Sequence, residues 1–141
     1  MRILFLSLFF FSSANLFAQK TDTLIAQTSD STNIVFIKTE VEASVDRQQW
    51  IDHLTKNLQS PIEKAARKGM KPGTYTVMVK FLVERDGSIG DVHALNDPGY
   101  GLAQAAEKVL RTGPKWKPGM QNGKVVRSYH TQPITFVIQI G

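Results

Sequence analysis

An ordered series of chain breakers, running from Ser60 to the end, constrains this 141-residue sequence more than any other feature. The breakers are Ser60-Pro61, Asp86-Gly87, Lys115-Trp116-Lys117-Pro118-Gly119, Asn122-Gly123 and Pro133-Ile134-Thr135-Phe136. Proline removes a backbone donor and fixes φ, while Asp-Gly and Asn-Gly supply the positive φ that tight hairpin turns require. Together they divide the chain into helix, hairpin, helix and strand.

The segments between the breakers carry matching hydrophobic periods. Asp46 and Gln49 form a capping-box pair, and Trp50, Ile51, Leu54 and Leu58 follow at helical spacing. Ser60-Pro61 then reads as a restart of the helix, with Ser60 as cap, Pro61 at the first helical position and Glu63 completing a second box. Ile62, Ala65 and Ala66 face inward, and Gly69 ends the segment in a left-handed conformation. Residues 74–84 alternate, with Tyr75, Val77, Val79, Phe81 and Val83 on one face. Arg85-Asp86-Gly87-Ser88 turns the chain into a partner strand over 89–95, where Gly90-Asp91 breaks the alternation and predicts a bulge. Leu102, Ala105, Ala106, Val109 and Leu110 share a helical stripe that Gly113-Pro114 stops. Beyond the Trp116 turn, residues 125–140 read as one long final strand. A short strand is expected at 34–37. The expected fold is α+β: an antiparallel sheet of three strands, four with the N-terminal one, with two helices packed on one face.

The N-terminus has the layout of a secretory signal. Arg2 is followed by an apolar run over 3–11, interrupted only by Ser7, and Leu16-Phe17-Ala18 offers a cut after Ala18. The run is too short for the roughly 20 apolar residues of a membrane span. The expected organisation is therefore a signal peptide over 1–18, a flexible polar leader over 19–33, and one domain over 34–141, exported to the periplasm. Retention of the first segment as an inner-membrane anchor is the alternative. The formal charge of +5 falls by one unit when Arg2 leaves with the signal, and the lysines and arginines are scattered, which speaks against nucleic-acid binding. With no cysteine, the domain is held by its core alone, which about 100 residues can supply.

In order and spacing, the breakers over residues 42–140 resemble the TonB C-terminal domain, the periplasmic end of the energy transducer that opens outer-membrane transport receptors. Pro61, Gly87, Trp116, Pro118, Gly119 and Pro133 are the positions that carry the resemblance. The family's pattern has an aromatic residue before the first of these prolines, where Ser60 stands here. The resemblance implies a binding module whose last strand receives an extended peptide from an outer-membrane receptor as an added strand. Carried onto this chain, the receiving residues are Val125, Val126, Arg127, Ser128, Tyr129, His130 and Thr131, with Arg127 and Tyr129 adding charge and an aromatic contact. Pro133 agrees on independent grounds, because proline belongs to an edge strand or a bulge. Pairing of that edge with a second copy, as a homodimer, is the competing reading. A full transducer also has a membrane anchor and a long proline-rich linker. The proline-free stretch of about 25 residues from the cut to the start of the first helix is too short to cross the periplasm, so transduction by this chain alone is not expected.

No cofactor, metal or catalytic set is expected. His53, His93 and His130 lack metal-ligand spacing, and Gly87-Ser88-Ile89-Gly90 is not a nucleophile elbow. Glu84, Asp86 and Asp91 crowd a hairpin turn, where solvated carboxylates are ordinary. Trp116 is expected to plug the gap between the second helix and the sheet, and Trp50 to be core.

Overall fold

The computed structural model describes residues 25–26, 35–36 and 38–139; the signal segment lies outside the described residues. In chain order the elements are β1 (Ile25–Ala26), β2 (Val35–Phe36), α1 (Arg47–Arg67), β3 (Gly73–Val83), β4 (Ile89–Ala94), α2 (Leu102–Arg111), β5 (Gly119–Gln121), β6 (Lys124–Val126) and β7 (Ser128–Ile138). The main sheet has the order β1-β2-β7-β3-β4, and β5 and β6 form a separate hairpin. The α+β class and the placement of both helices on one face agree with the sequence. Two details differ. The sheet is mixed rather than antiparallel, because β2 meets β7 in parallel, and β1 extends it by a further strand.

The core is built on the alternation of β3. Val77, Val79, Phe81 and Val83 are wholly buried, and across the register Ile134, Phe136 and Ile138 of β7 join them. From above, α2 contributes Leu102, Ala103, Ala106, Val109 and Leu110, and α1 contributes Trp50, Leu58 and Ala65. At roughly 25 cal/mol per Å² of apolar surface removed from water, this cluster is the main stabilising term in a chain without disulfides. Trp116 is buried as expected, and its ring contacts lie between the first helix and the sheet, at Trp50 and at Phe81. Its ring lies 5.0 Å from Phe81 and 6.2 Å from Trp50, both near edge-on.

The first helix corrects the sequence reading at its middle. Asp46 caps it, accepting from the Gln49 N–H at 2.9 Å, and Gly69 follows its end at φ +90°. Pro61, however, lies inside one continuous helix, and no restart occurs at Ser60. A mid-helix proline forfeits the bond to the carbonyl of Asn57. The apolar stripe continues across it from Leu58 to Ile62 and Ala65, so packing on the core holds both halves on one line. Ile51, placed on that stripe by spacing, is instead exposed.

The hairpin turn needs its glycine. Gly87 has φ +83°, and a Cβ there would fall 2.1 Å from the Trp116 carbonyl oxygen. The Trp116 N–H donates to the Gly87 carbonyl at 3.0 Å, so the β3–β4 turn and the tryptophan loop are stitched together. The bulge appears as expected: the register slips between Lys80 and Leu82, and Asp91 has φ +49°.

The last strand is the larger correction. Residues 125–140 do not form one strand. Asn122-Gly123 closes the β5–β6 hairpin with φ +50° and +70°, which holds Val125 and Val126 in the small sheet, paired with Met120 and Gly119. Arg127 lies between the strands, and the long strand begins only at Ser128.

The two edges of the sheet

Of the seven residues assigned by resemblance to a receiving strand, four therefore lie on β7: Ser128, Tyr129, His130 and Thr131. Their side chains point in two directions. Ser128 and His130 face the helices, with Ser128 buried and its hydroxyl 2.9 Å from His130 Nε2. His130 sits 6.1 Å from the Phe81 ring and 6.3 Å from that of Trp116, and burial lowers its pKa while Glu42 weakly opposes the shift. Tyr129 and Thr131 face the other side of the sheet. The Tyr129 hydroxyl donates to Asp91, Lys80 Nζ stands 4.6 Å over the tyrosine ring, and the hydrogen bond raises the phenol's pKa while lowering that of Asp91. Arg127 clasps Glu84 through Nε and Nη2 at 2.7 and 3.0 Å. The charge and the ring offered to a partner by the sequence reading are thus already engaged within the fold.

What β7 offers is its backbone, and the phase of its hydrogen bonds can be read. The Met78 N–H donates to Asn96 Oδ1 and the Met78 carbonyl accepts from Leu95, so Met78 points away from β7. Its partner across the register is Pro133. Directly opposed antiparallel residues alternate between bonded and non-bonded pairs. Pro133 and its odd-numbered neighbours Thr131, Thr135 and Val137 accordingly direct their main-chain groups away from β3. The Phe36 N–H, which donates to the Arg127 carbonyl at 3.2 Å, gives the same phase from the other side. The donor that proline lacks is one that β3 never needed.

Among the described residues, β7 is paired on this outer side only where Phe36 meets Ser128. No other described strand pairs along the rest of the side, at Thr131, Thr135 and Val137. This side is uncharged as well: residues 128–141 contain His130 but no lysine, arginine, aspartate or glutamate. Lysine and other edge charges are the usual guards against strand addition. Among the described residues Pro133 is the one guard present, and its carbonyl accepts from Nε2 of the adjacent Gln132 at 3.4 Å.

The opposite edge is treated otherwise. On β4 the outward groups are taken by side chains of α2: Glu107 Oε1 accepts from the Ala94 N–H at 2.9 Å, and Arg111 Nη2 donates to the Val92 carbonyl at 3.0 Å. The bulge at Asp91 bends what remains. The β4 edge is closed by the fold, whereas β7, an inner strand by order, is covered on its outer side by β2 only at its start.

Sequence reasoning found β7 and its proline but missed the closed edge, the break at Arg127 and the inward turn of Ser128 and His130. Among the described residues no group of acids, histidines or cysteines could hold a metal ion, and no helix is long and apolar enough to cross a membrane. A search of curated proteins and one of solved structures found no match. The family model of the Gram-negative bacterial TonB protein C-terminal matches residues 63–138, from the second half of α1 to the end of β7. That span holds the hairpin, the second helix and the open strand, and it brings with it a function and a location in the cell envelope. The chain belongs to the TonB C-terminal domain family.

Proposed function

We propose that this domain binds an extended peptide, from an outer-membrane receptor or another envelope protein, as an added strand on the outer side of β7. The work served is TonB-dependent transport. The observation that carries this reading is the open, uncharged side of β7 beside a closed β4. Main-chain bonds supply most of the affinity in strand addition, and pockets for alternate side chains supply the choice of partner. The receiving residues move accordingly from Val125–Thr131 along the chain to Thr131, Thr135 and Val137. The protein acts as a binding module and not as an enzyme, exported with residues 1–18 removed, 19–33 as leader and 34–141 as the domain. Mass spectrometry of the mature N-terminus checks the export step, and a start at Met1 would favour the anchored form.

The binding test uses synthetic N-terminal peptides of outer-membrane receptors titrated against the parent chain and Thr131→Pro. The Thr131 N–H points away from β3, so the substitution leaves the internal ladder intact and removes one outer donor. Binding to the parent that is lost in the variant supports strand addition. Equal binding by both chains excludes it. Light scattering runs alongside, since a stable dimer that shuts the peptide out would make the second copy the occupant.

A further inference from the structure

The open side of β7 begins where the chain's own N-terminal segment is already seated. Phe36 pairs with Ser128 in the parallel sense and donates its N–H to Arg127, and Val35 beside it is 8% exposed. β1 lies outside β2, with Ile25 against Phe36 and Ala26 against Val35. The segment then leaves β7. Thr39 is buried, with its hydroxyl donating to the Val41 carbonyl at 2.8 Å, and Val41 and Ser44 bridge to Met120 and Lys117. The backbone at Glu40 is fixed to the β5–β6 turn as well: its N–H donates to Gln121 Oε1 at 3.2 Å, and its carboxylate accepts from the Asn122 N–H at 2.9 Å. Anchored so close by, residues 35–36 meet β7 at the high effective concentration of a short tether, although a single residue pair of the ladder seats them there.

We infer that β2 is a built-in competitor for the outer side of β7: a weak strand of the chain itself that an incoming peptide displaces. This rests on the strand-addition reading and adds its regulation. The inference follows from the overlap of sites when a visitor's strand continues from Thr131 back to Ser128, because the Arg127 carbonyl and the flank of Ser128 cannot serve β2 and that visitor at once. It also follows from the imbalance of the two pairings. A visitor running on past Thr131 and Thr135 finds several free main-chain groups, whereas β2 turns away after one residue pair.

The test needs a probe that does not depend on knowing the receptor, and the chain provides one in a synthetic peptide of residues 33–39, NIVFIKT. It is titrated against the full parent chain and against Phe36→Pro, which lacks the N–H given to Arg127. The expected result is binding to the variant roughly two- to tenfold tighter, the worth of one net main-chain hydrogen bond. Amide exchange at Tyr129 should also quicken in the unliganded variant. Val35→Asp, which expels the segment by the cost of burying a charge, should act in the same direction. Phe36→Ala keeps the N–H and should behave nearly as the parent. Equal affinity for parent, Phe36→Pro and Val35→Asp overturns the inference. Receptor peptides that bind parent and variants alike also overturn it, while leaving strand addition standing. Receptor peptides that bind none of the chains, beside a NIVFIKT peptide that separates them, sink the receptor reading and leave the built-in competitor.

Discussion

Replacing Gly87 by alanine separates two reasons for a glycine that are usually confounded. Gly87 and Gly123 both have positive φ, +83° and +70°. A Cβ at Gly123 meets nothing within 4 Å, so Gly123→Ala incurs only the strain of a left-handed L-residue, about 1 kcal/mol. At Gly87 the same strain applies, but the Cβ would lie 2.1 Å from the Trp116 carbonyl oxygen and 3.2 Å from its carbon. Backbone must move by about 1 Å for the contact to become tolerable, and overpacking of this kind adds roughly 1–3 kcal/mol. The movement disturbs the 3.0 Å bond from the Trp116 N–H to the Gly87 carbonyl, worth about another 1 kcal/mol, and unseats a ring packed on Phe81. The sum for Gly87→Ala is about 4 kcal/mol, a large share of the roughly 5–15 kcal/mol that stabilises a typical domain. At about 5 °C per kcal/mol for a domain of this size, Tm should fall by about 20 °C for Gly87→Ala and about 5 °C for Gly123→Ala. Thermal unfolding followed by circular dichroism reads both. Equal shifts in the two variants would refute the reasoning, because the Trp116 carbonyl would then not be what reserves the position.

Two further outcomes are expected. The folded-state pKa of His130 is depressed by burial, so the unfolded chain takes up its proton near pH 6.5 while the folded chain resists. Stability from this residue is therefore complete above about pH 6.5 and falls as the pH drops from there through the folded value; His130→Gln should flatten that limb of urea midpoints measured from pH 8 to 5, and parallel curves would contradict it. Pro133→Thr restores an outward N–H on β7 without touching the ladder to β3, so folding stability should change by less than about 1 kcal/mol while self-association rises with concentration; sedimentation that shows no difference from the parent would remove Pro133 as the guard of this edge.

The sequence was most legible where one local period decides the structure. The odd-numbered residues of β3 could face only the core, and Gly87 could hardly be anything but a turn residue. It was least legible where two distant parts settle a choice that local signals leave even. Ser-Pro-x-Glu reads as a helix start because Pro suits a first turn, yet Leu58, Ile62 and Ala65 pack on the same core and carry the helix through it. The break at Arg127 was hidden by polar residues facing inward. Ser128 and His130 occupy core-side positions on β7, so the apolar alternation that marks Ile134, Phe136 and Ile138 fades toward the start of the strand. The adjacent pair Val125-Val126 was the available clue, since neighbouring apolar residues do not fit a strand with one wet face. The parallel seat of β2 depends on a contact across some 90 residues, and no local pattern announces it.

The case for function lies in the difference between the two edges more than in either alone. A strand without a full-length neighbour exposes a row of main-chain groups that invites addition, and both the end strand β4 and the outer side of β7 beyond β2 are of that kind. On β4 the fold answers with α2, whose Glu107 and Arg111 form an ion pair at 3.4 Å and also bond the backbone of Ala94 and Val92. Such pairing adds little stability at a half-exposed site, so its more telling effect is to occupy the edge. On β7 the helix above, α1, supplies core residues, and among the described residues none of its side chains bonds the outer main-chain groups. The strand beside it, β2, reaches one residue and turns off. The proline stands where it can interrupt a visitor but not the fold. If both edges answered to solubility alone, both should carry charge or a bulge. One carries both and the other neither, and that asymmetry is what an accessible strand-docking surface requires.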